Sequence, residues 1–394
     1  MNSNNHINDS LKLNNNSKIL KLYEDLPYSS IYTDEIVNHP NNILITEYYD
    51  PISPYFNTYQ AGKKLVFPIG DFHFLKNMMI RTKLETTLNN NNRKSFLGVH
   101  LFKRIRVMQK GLEIARISPS YIYSRIMSLP YNLQQYYSTL TSGEDFDFDI
   151  NTEMYFITPL FFWFLEKEIH NILLYFHRDL TLECEFNDIT FAGNVTFQSQ
   201  LVLVKRSYEM SFIEKYIKDV YYNQDQVNPS DLHHRNYLIY NTYNISKDVG
   251  NSSRTEVILD QNYFLHSIHV CIFKDKLNPE LLQINKMEIY LADKLIITLN
   301  KDVSQLSLIN DLSNDTIIAA NNAQGSLSYY FGSKDRMING IKGGLDIAKG
   351  PYRVIVYHVN PGLVTDFKLN IDLEYFNILS SDNNTGLFYG YEIH

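Results

Sequence analysis

The stretch DINTEMYFITPLFFWFLEKEIHNILLYFHRDLTLECEFN, residues 149–187, contains three successive patterns that decide the interpretation of the fold. It begins with the strongly apolar run 155–165, and Ile169, Ile172 and Leu173 then follow with helical spacing. It ends in a segment whose apolar side chains occupy every second position: Leu180, Leu182, Cys184 and Phe186. A strand with this alternation buries one face and leaves the other in water, as in an antiparallel sandwich.

The same alternation recurs along the chain and predicts many short strands. It appears in these further ranges: 65–69, 78–88, 99–107, 194–205, 264–272, 287–291, 352–357 and 367–375. The last range turns its apolar side chains inward and its polar side chains, including Asp372 and Glu374, outward. Two halves of similar length, each rich in such strands, predict two copies of one sandwich.

Other segments interrupt the strands. Residues 119–142 have helical spacing broken by Pro130, Gly111 fits a hairpin turn, and 300–350 is rich in loop-forming residues. Residues 1–40 are polar and rich in asparagine. We interpret them as an extended arm that orders on a partner, with an ordinary disordered tail as the alternative.

Composition and charge exclude some classes of protein. Aromatic residues make up 14% of the 394 residues, which suits pleated strands. The net charge is -7 and no basic arm is visible, so we expect no direct contact with nucleic acid. The N-terminal sequence lacks a signal-peptide pattern, and the apolar run 155–165 is too short to span a bilayer. These features predict folding in a reducing, soluble compartment.

The two cysteines, Cys184 and Cys271, lie far apart in sequence, and Cys184 alternates with core residues. Two buried free thiols are the favoured interpretation, and a disulfide, which would need an oxidising compartment, is the alternative. Trp163, the only tryptophan, is expected in the core rather than as a platform for a stacked ligand.

The search for chemistry finds no convincing catalytic arrangement. The glycine cluster 340–344 lacks the P-loop spacing. His233-His234 and the pair Glu166 and His170 lack the further ligands that a metal site needs. An acidic segment could offer oxygen ligands to a divalent cation, but a solvated loop is favoured: Glu144, Asp145, Asp147 and Asp149. We therefore predict no enzyme, no cofactor and no metal site.

The order of features in 155–186 resembles the signature of double jelly-roll major capsid proteins. That family builds icosahedral shells of large eukaryotic DNA viruses and their smaller relatives, among them Polinton-like viruses, virophages and nucleocytoplasmic large DNA viruses. The residues in comparable places are Pro159, Leu160, Phe162, Trp163, Phe164, Leu173, Leu174, Tyr175 and His177. Glu166-Lys167-Glu168 stands where the family usually has an Asn-Pro-Gly turn. Residues 206–228 resemble the family's succession of a strand, a charged helical turn and a segment that carries Glu and Gln.

The resemblance implies an all-β fold of two tandem eight-stranded antiparallel jelly-roll β-sandwiches with short helices in loops. We expect an N-terminal arm at 1–59, a first jelly roll at 60–215, a linker at 216–250 and a second jelly roll at 251–394. His177 and Arg178, which precede an alternating strand, are candidates for a subunit contact or for a local hydrogen bond within one subunit.

The implied function is that of a major capsid protein in a virion. Its partners would be a homotrimer with a pseudo-hexagonal outline, neighbouring capsomers, and minor capsid and penton proteins. The arm would reach minor proteins or an internal membrane, and assembly would occur in the host cytoplasm or nucleus. Alternatives from other classes are a β-sandwich carbohydrate-binding module and a related scaffold or minor capsid protein.

Overall fold

The structure is a computed structural model. It describes residues 43–52, 59–70, 74–86, 96–129, 131–141, 153–165, 179–189, 191, 195–209, 211, 234–274, 281–300, 318–321, 325–331, 344–362, 366–382 and 386–389. Among these residues, no helix has the length and apolar character needed to cross a membrane.

The first half of the described chain folds into two antiparallel sheets of four strands. Its strands are β1 (Ile43–Tyr49), β2 (Lys64–Ile69), β3 (Phe74–Thr86), β4 (Phe102–Gln109), β5 (Leu112–Ile117), β6 (Glu153–Pro159), β7 (Leu180–Phe186) and β8 (Val195–Ser207). Sheet A has the order β1-β8-β3-β6, and sheet B has the order β2-β7-β4-β5. Neighbouring strands within a sheet come from distant parts of the chain, as in a jelly roll.

The second half repeats this order. Its strands are β9 (His234–Asp248), β10 (Arg254–Leu259), β11 (Phe264–Lys274), β12 (Ile284–Leu291), β13 (Lys294–Asn300), β14 (Ile318–Asn321), β15 (Ser326–Tyr330), β16 (Leu345–Asp346), β17 (Tyr352–His358), β18 (Phe367–Asp382) and β19 (Gly386–Tyr389).

Sheet C contains the order β9-β18-β11-β15. In addition, β14 pairs with β15, β16 with β11 and β19 with β18. Sheet D has the order β10-β17-β12-β13. Position by position, sheet C corresponds to sheet A and sheet D to sheet B. The predicted fold of two tandem jelly rolls is therefore confirmed.

The period-two pattern explains where the cores lie. In β7 the side chains of Leu180, Leu182, Cys184 and Phe186 are all buried, and the residues between them are partly exposed. In β18 the side chains of Leu369, Ile371 and Leu373 are buried in the core of the second sandwich. Burial of one face of each sheet removes apolar surface from water, which is the main driving force for a sandwich of this kind.

The helical pattern predicted over 119–142 forms two helices, and Pro130 stands between them in the sequence. They are α2 (Pro119–Met127) and α3 (Tyr131–Leu140), and a single turn, α1 (Leu97–His100), precedes β4. Ser118 caps α2, because its hydroxyl accepts a hydrogen bond from the backbone N–H of Tyr121, and Pro119 occupies the first turn. Short 3-10 turns cover Trp163–Leu165 and Ile347–Lys349.

Two strands lie in segments that were expected to be arm and linker. Residues 43–49, assigned to the arm, form β1 along β8, and residues 234–248, assigned to the linker, form β9 along β18. Neither segment shows the usual alternation. Apolar side chains of β1 are exposed, and β9 carries polar side chains on a face that the first half covers.

One smaller expectation was wrong. Val99 and Leu101 were predicted on a strand, but Val99 lies in α1 and Leu101 follows it. This turn passes very close to β6, since a Cβ on Gly98 would lie 2.3 Å from the carbonyl oxygen of Ile157. The range 300–350, predicted to be rich in loops, contains the three short strands β14, β15 and β16.

Candidate functional site: the outer faces of the four sheets

Each sheet has an inner face in a core and an outer face that points away from it. The outer faces are the surfaces with which a sandwich meets water or another sandwich, so their chemistry indicates what the molecule can contact. The four faces fall into three kinds: two are charged, one is buried within the chain, and one carries exposed apolar side chains beside charged ones.

The outer face of sheet B carries ion pairs between neighbouring strands. Arg106 Nη2 lies 2.7 Å from Glu183 Oε2, and Arg106 Nη1 lies 3.4 Å from Glu113 Oε2. Lys64 and Lys103 add longer contacts to Glu183 and Glu185. These groups are all partly exposed, which is typical of a face in water.

The outer face of sheet D has the same character. Glu288 accepts hydrogen bonds from Lys286, Tyr290 and Tyr357. Burial acts to raise the pKa of Glu288, but these hydrogen bonds outweigh it and hold the pKa below its usual value. Arg353 lies over the ring of Tyr290, 5.0 Å from its centroid. Sheets B and D therefore both present charged, solvent-facing surfaces.

The outer face of sheet C is covered by the first sandwich. Helix α2 contacts β11, β15 and β18, and the edge strand β5 contacts β9 and β19. Four residues of this face belong to the same buried cluster as the core of the first half: Tyr240, Cys271, Phe273 and Phe376. Phe273 meets the rings of His100 and Tyr123 edge-on. The two sandwiches thus share one continuous apolar cluster.

A polar network lies within this junction and is centred on Glu374, which is 1% exposed. Tyr121 of α2 donates to Oε1 over 2.9 Å, and Ser267 donates to Oε2 over 2.7 Å. His266 Nδ1 lies 3.0 Å from Oε2, and His269 lies 3.0 Å from the Ser267 hydroxyl. Because Glu374 receives donors from both halves of the chain, it joins the two sandwiches through hydrogen bonds.

Asp372 is the second carboxyl group in the junction. Its Oδ1 accepts hydrogen bonds from Ser118 over 2.6 Å and from Asn244 over 2.8 Å. Its Oδ2 is buried and has no hydrogen-bond partner among the described residues. Burial raises the pKa of Asp372 to about 6, although the hydrogen bonds from Ser118, Ser120 and Asn244 act to lower it.

Asp372 and Glu374 correct the sequence prediction. Both point outward from the core of their own sandwich, as expected, but both are buried rather than in water. Further links across the junction run from Thr242 to the carbonyl oxygen of Arg116 and from Arg125 to the hydroxyl of Tyr330. The sequence carried one signal for this covered face: β11 places Ser267 and His269, rather than charged residues, at its outward positions.

The outer face of sheet A carries exposed apolar side chains beside charged ones such as Arg81 and Lys83, while Val202 near its middle is buried. In the strand register, one row of side chains crosses all four strands: Tyr48, Val202, Met79 and Pro159. Tyr48 is 56% exposed, and Leu44 and Tyr155 on the same face are each 50% exposed. Arg81 lies over the ring of Tyr155, 4.6 Å from its centroid. Exposed apolar groups gathered on one face are typical of an interaction surface.

The remaining sequence predictions concern single residues. Trp163 is 5% exposed and belongs to the core of the first half, as predicted. Cys184 and Cys271 are both free and buried, and burial raises the pKa of each thiol well above its usual value. Both are therefore poor nucleophiles.

Other candidates lie outside the described residues: Glu144, Asp145, Asp147, Asp149, Glu166, His170, His177, Arg178, His233 and the glycines from 340 to 343. The backbone of His234 lies at the start of β9. Within the described part of the chain, no group of three or more His, Cys, Asp or Glu side chains is placed to hold a metal ion.

No protein-family model matches the sequence, and no curated protein matches it. Solved structures do match in fold. Two are of PBCV-1: the crystal structure of VP54, fitted into a cryo-EM reconstruction of the virophage Sputnik, and a quasi-atomic model of the virus capsid. Their TM-scores are 0.64 and 0.63, each is 11% identical, and each match covers 89% of this chain and 97% of the other.

A third match is the Faustovirus major capsid protein, with a TM-score of 0.56 and 8% identity over 86% of this chain and 90% of that one. At these identities the likeness establishes the fold. The resemblance predicted from 155–186 is therefore confirmed, because the chain has the double jelly-roll fold found in viral major capsid proteins.

Proposed function

We propose that this chain is the major capsid protein of an icosahedral virus and has a structural rather than a catalytic role. The observation that carries the proposal is the repeat of one eight-stranded sandwich, joined to its copy by a junction with a shared apolar cluster. The fold matches with PBCV-1 and Faustovirus capsid structures support it. A junction of this kind holds two sandwiches as one rigid building block.

In this proposal three chains form a capsomer whose six sandwiches give a pseudo-hexagonal outline. Capsomers would tile a shell through many weak contacts, which together give high avidity. The strand assignments support 43–207 and 234–389 as the two sandwiches. Residues 1–42 would form the arm toward minor capsid proteins or an internal membrane, and penton proteins would fill the vertices. The net charge of -7 supports a shell without direct contact to the genome.

One observation favours a carbohydrate-binding module as the second candidate. Tyr48 and Tyr155 are exposed on the same face, and sugars stack on exposed aromatic rings in such modules. The two functions predict different behaviour of the purified chain. A capsid subunit forms defined oligomers without any ligand, whereas a binding module stays monomeric and its tyrosine fluorescence responds to added oligosaccharide.

Size-exclusion chromatography with light scattering, followed by electron microscopy, tests the proposal. We expect a mass three times the 46.2 kDa of one chain and particles with a six-sided outline. A chain that remains at 46.2 kDa at every concentration tested, and forms no particles, would contradict it.

A further inference from the structure

The two halves contain the same hairpin at the same position. The β4–β5 hairpin turns through Lys110, with φ 48°, and the β12–β13 hairpin turns through Ala292, with φ 51°. Each hairpin also has one β-bulge, and the pairing skips Ile114 in β5 and Ile296 in β13. Ile114 and Ile296 are therefore equivalent residues, and so are their neighbours Glu113 and Leu295.

The junction within the chain is head-to-tail. The first sandwich contributes its β5 edge and α2, while the second contributes the outer face of sheet C. A head-to-tail contact leaves one surface of each kind unused. The unused surfaces are the β13 edge of the second sandwich and the outer face of sheet A of the first. Repetition of such a contact between copies builds a ring if the rotation closes.

Both unused surfaces carry apolar side chains in water. Ile114 is fully buried, but its equivalent Ile296 is 41% exposed, and Leu295 beside it is 46% exposed. Five of the eleven large exposed hydrophobic side chains in the described part of the chain lie on these two surfaces: Leu44, Tyr48, Tyr155, Leu295 and Ile296. The outer faces of sheets B and D, by contrast, are charged.

We propose that the β12–β13 hairpin of one copy, through Leu295 and Ile296, covers the outer face of sheet A of the next copy at Leu44, Tyr48 and Tyr155. The inference rests on the proposed function and specifies its subunit contact. The occupant is a second copy of this chain, because the contact within the chain already shows the same hairpin position beside the same sheet position. Three such contacts close a ring of six sandwiches.

Single charges placed on either surface test the contact. Tyr48→Asp and Ile296→Asp each put a carboxylate into one side of it, and both side chains are exposed, so each variant should fold. The matched control is Ile258→Asp, because Ile258 is 61% exposed and lies on the charged outer face of sheet D. We expect at least a tenfold loss of trimer for both variants, with unchanged circular dichroism, and none for the control.

A second measurement reports the contact directly. Lys294 begins β13, and Lys83 lies on the outer face of sheet A opposite Tyr155. In trimers formed from a mixture of ¹⁴N and ¹⁵N chains, a lysine-reactive cross-linker should join Lys294 to Lys83 of a different chain. Lys103, on the outer face of sheet B, should form no cross-link to Lys294 of another chain.

The outcomes separate the inference from the proposed function. A wild-type chain that stays monomeric contradicts the proposed function and the inference together. A wild-type trimer that survives either Tyr48→Asp or Ile296→Asp, or that gives no cross-link between Lys294 and Lys83 of different chains, overturns the inference alone. Loss of trimer in both variants, an intact control and the expected cross-link support it.

Discussion

The outer faces of sheets A and C occupy the same place in two copies of one fold, yet their chemistry differs. On sheet C, carboxyl, imidazole and hydroxyl groups lie buried beneath α2. On sheet A, leucine and tyrosine side chains are exposed. The cover of sheet C is α2 of the same chain, which is in place once the chain has folded. It can therefore supply hydrogen-bond donors to buried polar groups. A face that is covered only by a second chain is in contact with water before assembly. Tyrosine is compatible both with water and with a buried interface.

The largest effect should come from removing an aromatic ring from the sheet C junction. Phe376 is 1% exposed and contacts the rings of Tyr240, Phe264 and His266. Phe376→Ala should lower the free energy of unfolding by about 3–5 kcal/mol, because it leaves a cavity in the shared cluster. Urea denaturation measures the change. Ile258→Ala, at an exposed site, is the control and should change it by less than about 0.5 kcal/mol.

Asp372 should make the covered face sensitive to pH. Its pKa is raised to about 6 from 3.8, so the folded state binds the proton more tightly than the unfolded state does. Its contribution is fully present below about pH 4 and is lost as the pH rises through 6. Asp372→Asn removes the ionisable group but keeps an oxygen to accept from Ser118 and Asn244.

At pH 8 the free energy of unfolding of this variant should therefore be up to about 3 kcal/mol higher than that of the wild type. At pH 4 the two should agree within about 1 kcal/mol, since both side chains are then neutral. Urea denaturation at the two pH values checks this. A variant less stable than the wild type at pH 8 would show that the charged form of Asp372 stabilises the junction.

At Glu374, two residues further along β18, replacement of the carboxyl group by an amide should lower the stability instead of raising it. The oxygens of Glu374 accept hydrogen bonds from Tyr121 and Ser267 and contact His266. In glutamine one of these oxygens becomes an NH2 group, which cannot accept a hydrogen bond. Glu374→Gln should lower the free energy of unfolding by about 2 kcal/mol at pH 8. The double variant Tyr121→Phe with Glu374→Gln should cost less than the sum of the two single variants, because they share one hydrogen bond.

The smallest effect is expected on the charged outer face of sheet B. Glu183→Gln removes the partner of Arg106 and Lys64, but these side chains remain partly in water. The free energy of unfolding should change by less than about 1 kcal/mol, and by still less in 1 M salt. A loss as large as that of Glu374→Gln would mean that this face is covered too.

Much of the fold could be predicted because alternation reports which side chains enter a core. Alternation in both halves predicted two sandwiches, and the resemblance of 155–186 to a known family implied that they are jelly rolls. The breaks at Gly111 and Pro130 were correctly placed. Alternation does not report what lies over the polar face of a strand. Asp372 and Glu374 looked like side chains in water for this reason, and their burial needed the position of α2.

The sequence did not show which outer faces of the sheets are exposed and which are covered. In β1 the apolar residues Leu44 and Ile45 are adjacent and both exposed, so the segment gave no period-two signal. The relation between Ile114 and Ile296 was equally hidden, because the two hairpins share geometry and a bulge rather than sequence.

A cryo-EM reconstruction of the isolated wild-type oligomer would show whether the outer face of sheet A is a contact between subunits. We expect a closed ring of six sandwiches in which every A sheet, like every C sheet, has its outer face covered, with Ile296 of one chain beside Tyr48 of the next. A ring in which Tyr48 faces solvent, or an oligomer in which two A sheets cover each other, would contradict it.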